Sequence, residues 1–210
     1  MSSIFDKNLA PEFESIKDDD EEILWAGKPT FTPYLLNGLG LGAGVLIFLG
    51  FGYFSFNSFQ QASGVKGFNF HLYFLLVPVV FFLLGFLKKI LSYSNTSYAY
   101  TNKRVMVRTG FIGTDFKSID YDKISDIEVT VNFMERAFNV GSIRFFSGRT
   151  QENDGTTTKL YDKWEAIPDP YGVFKKVKQV SVDIKTDYNY PNALRPETNP
   201  GYNTKYNRPE

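Results

Sequence analysis

Leu72-Tyr73-Phe74-Leu75-Leu76-Val77-Pro78-Val79-Val80-Phe81-Phe82-Leu83-Leu84 forms the centre of a stretch, Gly67 to Leu87, that contains no Asp, Glu, Lys or Arg. Upstream, Pro29 to Val65 is equally free of charge, and Tyr34 to Phe56 within it is dominated by Leu, Phe, Gly, Val and Ile. About 23 residues make ~34 Å of helix, enough to cross a hydrocarbon core of about 30 Å. The reading is therefore a transmembrane hairpin with helices at about 33–56 and 70–90, in which Pro78 is a kink that lipid-embedded helices tolerate. Asn57 to Asn69, rich in Asn, Ser, Gln and Gly and charged only at Lys66, is the expected polar turn.

Lys88 and Lys89 close the second helix, Lys103 and Arg104 follow, and Lys28 precedes the first. By the positive-inside rule both ends of the hairpin, and both chain termini, face the cytoplasm. The expected location is the inner membrane, in multi-pass form. Trp25, Phe31, Tyr34, Phe59, Phe68 and Tyr93 are of the types that favour the headgroup level.

Composition hides this division. The mean hydropathy of −0.22 looks soluble, and 23 basic residues balance 23 acidic ones, so nothing suggests a nucleic-acid partner. There is no cysteine and only one histidine, His71. Thiolate zinc sites, iron–sulfur clusters, cysteine nucleophiles and multi-histidine metal sites are thereby excluded. His71 reads as a neutral interfacial residue rather than a proton relay, having no ionisable partner nearby in sequence.

Residues 1–28 are polar, with the acidic run Asp18-Asp19-Asp20-Glu21-Glu22, and lack the pattern of a cleaved signal. Residues 93–185 read as short strands. Ile127-Glu128-Val129-Thr130-Val131 alternates, and Val105 to Arg108 and Ile143 to Phe145 do so more briefly. Turns are expected at Thr101-Asn102-Lys103, Gly110 to Asp115, Asn139-Val140-Gly141 and Asn153-Asp154-Gly155. Asp169-Pro170 supplies an N-cap and first-position proline for a closing helix that carries Val173, Val177, Val180 and Ile184. Residues 186–210, rich in Asn, Pro and Tyr, read as a disordered tail.

Several segments resemble the membrane-anchored form of the bacterial pleckstrin-homology-like (PH-like) family. These are Glu22 to Pro29, Tyr98-Ala99-Tyr100-Thr101-Asn102-Lys103-Arg104 running on to Gly110, Ile119 to Val129, and Phe133 to Ile143 with its Asn139-Val140-Gly141 turn. The resemblance implies an α+β membrane protein: a two-helix transmembrane hairpin followed by a small antiparallel barrel or sandwich closed by a C-terminal helix. It also implies no catalysis and leaves the ligand open.

Individual motifs carry little chemistry. Gly38 to Gly44 is no phosphate loop, because no strand precedes it and no acidic ribose partner follows. Gly40 and Gly44 instead form a small-xxx-small pair that lets a helix approach closely, either the second helix or another copy of the chain. Lys88, Lys89, Lys103 and Arg104 are expected at the inner leaflet, as topological anchors or as contacts to anionic headgroups at ~1 kcal/mol each. Asp115, Asp120 and Asp122 interrupt that positive field. Asp120, Asp122, Asp126 and Glu128 alternate with apolar residues and point outward from a sheet, so no paired acid and base, no metal and no cofactor is expected. Asn199-Pro200-Gly201-Tyr202 matches a turn bound by some domains through strand addition, a cheap match in such a tail. The function expected is a non-enzymatic, membrane-anchored interaction module, with an accessory subunit of a transport or secretion complex, or an anionic-lipid-binding module, as alternatives. Its partners would be the lipid bilayer and other membrane or cytosolic proteins.

Overall fold

The computed structural model describes residues 10–37, 40–63 and 70–189. In chain order these form α1 (Ala10–Glu14), β1 (Ile23–Gly27), α2 (Phe31–Leu36), α3 (Gly40–Ser63), α4 (Phe70–Tyr93), β2 (Ser97–Thr101), β3 (Arg104–Thr109), β4 (Asp115–Asp120), β5 (Asp126–Thr130), α5 (Phe133–Ala137), β6 (Val140–Asn153), β7 (Thr156–Pro168) and α6 (Pro170–Asn189). The strands make two antiparallel sheets, β1-β2-β3-β4 and β5-β6-β7. The sheets do not close into a barrel, so the sandwich alternative is the one that describes the fold.

The turn chemistry read from sequence positions these strands. Asp154 and Gly155, at φ of 47° and 76°, make the tight hairpin between β6 and β7, the geometry that Asp-Gly favours. Asp169 Oδ1 accepts from the Gly172 N–H at 3.1 Å at the start of α6, as an N-cap should. Along α6, Val173 and Val177 are buried, and Val180 and Ile184 pack against the same core. That core is aromatic. Trp164 on β7 stacks on Trp25 (5.4 Å) and Tyr98 (5.8 Å) and meets Phe145 edge-on at 4.9 Å.

The first sheet does not alternate as expected, since every residue of β2 is buried. Its inner face carries Tyr98 and Tyr100 into the core, while its outer face is covered by Phe13 of α1, which packs with Ala26, Ala99 and Met106. The polar segment 1–28 therefore holds structural elements of the sandwich. β1 pairs with β2 through Ala26 and Ala99, although the whole helical hairpin lies between them in sequence.

That hairpin also departs from its expected bounds. Helix α3 continues to Ser63, through the stretch expected to turn at Asn57; no proline or glycine interrupts it there, and Ser58 Oγ bonds back to Phe54 O at 3.0 Å. Phe31–Leu36 is a separate short helix. Helix α4 runs unbroken through Pro78. Among the described residues one helix is long and apolar enough to cross a membrane: α4, whose window Leu76–Tyr93 has a mean hydropathy of 1.8 and contains no fully buried residue. The glycines and the Asn57, Gln60 and Gln61 amides dilute α3. The surroundings of Gly40 and His71, and the tail beyond Asn189 with its Asn199–Tyr202 motif, lie outside the described residues.

Candidate functional site

The helices leave the sandwich at one end, and hydrogen bonds and ion pairs tie the chain together there. After β1, the Lys28 ammonium donates to Ser94 O at 3.3 Å, at the far end of the hairpin. The Thr30 N–H donates to Ala166 O at 2.8 Å. Ala166 has a φ of 50°, a left-handed conformation costly for a residue with a Cβ. It sits where the β6–β7 register slips between Gly141 and Ile143, and this bulge brings the β7 backbone to Thr30.

Beside the bulge, Glu165 accepts from Lys89 of α4 at 3.3 Å and from Lys163 at 3.0 Å. Lys89 also lies 4.6 Å from the Tyr34 ring centre. Burial raises the Glu165 carboxyl, but the charges and hydrogen bonds of Lys163 and Lys89 outweigh it and leave the group below its ordinary value. Phe31 and Tyr34 of α2 pack on Tyr93, with ring centres 4.8 and 5.8 Å apart. Helix α2 thus lies along the last turns of α4.

Helix α5 completes this base. Asn132 and Glu135 form a reciprocal capping box, legible in sequence as Asn-x-x-Glu. The tertiary structure adds that Asn37, at the end of α2, donates to Glu135 Oε1 at 3.0 Å and accepts from the Asn132 amide at 2.7 Å. Glu135 is buried and also accepts from Ser142 Oγ, which in turn accepts from the Ala166 N–H at 3.3 Å. On the first sheet, the Asn95 amide just past α4 reaches Gly110 O and Gly113 O at 3.4 and 3.5 Å. This holds the β3–β4 turn against the same end. Gly110 is required there: at φ of 153° an added Cβ would lie 2.0 Å from Gly113 O.

The four basic residues expected to act together are separated. Lys88 is exposed and Lys89 is paired with Glu165, both at the hairpin base. Lys103 and Arg104 follow β2 at the other end of that strand, since Ser97 rather than Thr101 adjoins α4. There the acidic N-terminal run meets them. Lys103 pairs with Asp20 and Asp18, and Arg104 pairs with Glu21 at 2.6 Å and with Asp18 at 3.4 Å. Burial raises Glu21, but hydrogen bonds from Arg104, Thr101 and the Asp18 N–H lower it further, to a net value below the ordinary one. Sequence inspection could not find this pairing, because the partners lie some 80 positions apart.

Of the expected glycine pair, Gly44 makes no close approach. An added Cβ at Gly44 would meet nothing within 4 Å, whereas at Gly42 it would lie 2.8 Å from Phe82 Cζ of α4. Gly42 therefore makes the close approach between the helices. Elsewhere a cleft of about 320 Å³ is lined by Lys117, Ser118, Asp120, Lys123, Arg149 and Asp162. Asp162 pairs with both Lys117 and Arg149, and Asp120 with Lys123, which leaves little free positive charge for an anion.

A model of the bacterial PH domain family matches residues 43–167. That span is more than half of the chain and runs from within α3 to the end of β7. The chain belongs to that family. No curated protein matches it. Among solved structures it is similar to a DUF1696 family protein with a pleckstrin-homology domain from Shewanella loihica. The identity is 13%, covering 83% of this chain and 94% of that one, with a TM-score of 0.38.

Proposed function

We propose that this chain is a membrane-anchored PH-like interaction module without enzymatic activity, held at the inner face of a bacterial membrane by α3 and α4. The observation that carries this reading is the insertion of two 24-residue helices between the neighbouring strands β1 and β2, with their apolar side chains facing outward. Leu46, Phe51 and Phe54 on α3 and Phe81, Leu83 and Leu84 on α4 are all more than half exposed. Leaving such side chains in water forgoes about 1.5–3 kcal/mol each.

Topology supports two crossings although only α4 is apolar enough by itself. Helix α3 starts next to α2 at the sandwich and α4 returns to the sandwich at Tyr93. A chain that crosses in α4 must therefore already have crossed in α3. Specific recognition of a polyphosphate headgroup by Lys103 and Arg104 is disfavoured, because both are neutralised by Asp18, Asp20 and Glu21. Binding of partners falls instead to the sandwich surface and its open strand edges.

Single cysteines at Ser63 and at Asn153 test the topology on intact cells with a membrane-impermeant thiol reagent. Ser63→Cys is expected to label and Asn153→Cys to label only after lysis. Labelling of both on intact cells, or extraction of the protein from membranes by alkaline carbonate, would overturn the anchor.

A further inference from the structure

Among the described residues outside α3 and α4, the two most exposed large apolar side chains are Ile112 (90%) and Phe133 (83%). Both lie at the hairpin base. We propose that they are the tips of two feet that enter the headgroup layer beside the helices: Phe111-Ile112 between β3 and β4, and Phe133, Met134 and Phe138 of α5. This rests on the membrane reading above and extends it, because the sandwich then meets lipid directly and in one orientation.

The position of each foot follows from its ties. Asn95, two residues past α4, holds both ends of the Gly110–Gly113 turn, so Phe111 and Ile112 form the tip of a turn at the hairpin base. Helix α5 is bound to Asn37, where α2 ends. Since Tyr34 of α2 already lies against Lys89, α5 sits at about the level along α4 where Lys88 and Lys89 end the uncharged span. Lysines at that point mark the headgroup region, the depth at which aromatic and apolar side chains of interfacial elements partition.

Ties fix the base of each foot, and the exposed charge on the second is basic. The capping box fixes α5, and its one carboxylate, Glu135, faces inward and is buried while Arg136 is exposed. Position 110 of the first foot's turn tolerates no Cβ. Asp115, exposed at the start of β4, is the nearest opposing charge on the first foot. One foot belongs to each sheet, and with the helical pair they make three attachments, the number needed to define a plane. A soluble partner would have no reason to require apolar tips on two separate sheets, both beside the exposed span of α4.

The full chain in nanodiscs of three parts phosphatidylcholine to one part phosphatidylglycerol tests this, with an environment-sensitive fluorophore on single cysteines at Ile112, Phe133, Val80 and Asn153. Val80 lies in the apolar window of α4 and Asn153 at the β6–β7 tip. Expected emission is most blue-shifted at Val80, intermediate at Ile112 and Phe133, and water-like at Asn153, with headgroup spin labels quenching Ile112 and Phe133. Water-like emission at both feet with a lipid-like Val80 would overturn the proposal and leave the anchor standing. A water-like Val80 would remove the anchor and the proposal together. A shift at the feet that disappears when each disc holds a single copy would assign the surface to a second copy of the chain and overturn the lipid contact.

Discussion

Trp164 and Phe81 are both large apolar rings, yet Trp164 is completely buried and Phe81 is 70% exposed. In the sandwich, Trp25, Tyr98, Tyr121, Phe145 and Trp164 enclose one another, and Phe13 of the N-terminal segment covers the outer face of β2. In the hairpin, the two helices meet along a seam where Phe82 fills the space over Gly42, and their remaining apolar faces point outward. The sandwich carries its own core. The hairpin's outer surface is complete only in an apolar medium or against a partner.

The largest expected break in this contrast is Trp164→Ala. Removing the ring at the centre of the core should cost about 3–5 kcal/mol, read by urea unfolding of the full chain in mild detergent with near-ultraviolet circular dichroism. Phe81→Ala should leave the midpoint of that transition unchanged. Equal losses for the two variants would mean that the hairpin and the sandwich share one core.

Next in size is the contact that closes the sandwich's far end. Glu21→Ala leaves Arg104 without its buried partner, and losing one member of such a pair costs about 3 kcal/mol. The same carboxylate gives the domain an acid limb. Its folded-state value lies below the ordinary 4.5, so its contribution is complete above that pH and fades as pH falls through the folded-state value. Stability should decline below about pH 4.5, and the acid limb should be flatter in Glu21→Gln. An unchanged limb would assign the decline to other carboxylates.

The smallest effect sharpens the hairpin side. Gly42→Leu should force Phe82 aside and destabilise the helical pair by about 1–3 kcal/mol, seen as faster proteolysis or a lower Tm in detergent. Gly44→Leu should leave the pair intact. If Gly44→Leu alone changes oligomeric size, that open position serves a second copy.

Much of the sandwich was legible. Alternation located β5 and the start of β6, Asn153-Asp154-Gly155 located the tip of the β6–β7 hairpin, and Asp169-Pro170 located the start of α6. Strand β2 was not legible as a two-sided buried strand, because the residue that covers its outer face, Phe13, lies far upstream in a stretch whose charges suggest solvent. The site was less legible. Lys88 and Lys89 were placed at the end of the second helix and lie in its last two turns, which continue to Tyr93, but Lys103 and Arg104 could not be known to point elsewhere. Ile112 and Phe133 gave no periodic signal, since each is an apolar residue in a short turn or a single helical turn, indistinguishable in sequence from part of a core.

The amino-acid sequence by itself determined the local matters: which stretches exclude charge, where the turns fall, where α6 begins, and that no cysteine or histidine cluster is available for metal or redox chemistry. Each depends on residues within a few positions of one another. Tertiary structure alone decided that β1 and β2 are neighbours across the whole hairpin, that Glu21 neutralises Arg104, that Gly42 rather than Gly44 receives Phe82, and that Ile112 and Phe133 stand at one end. Those pairings depend on strand register and chain reversal, and such long-range geometry leaves no periodic trace in the chain that it folds.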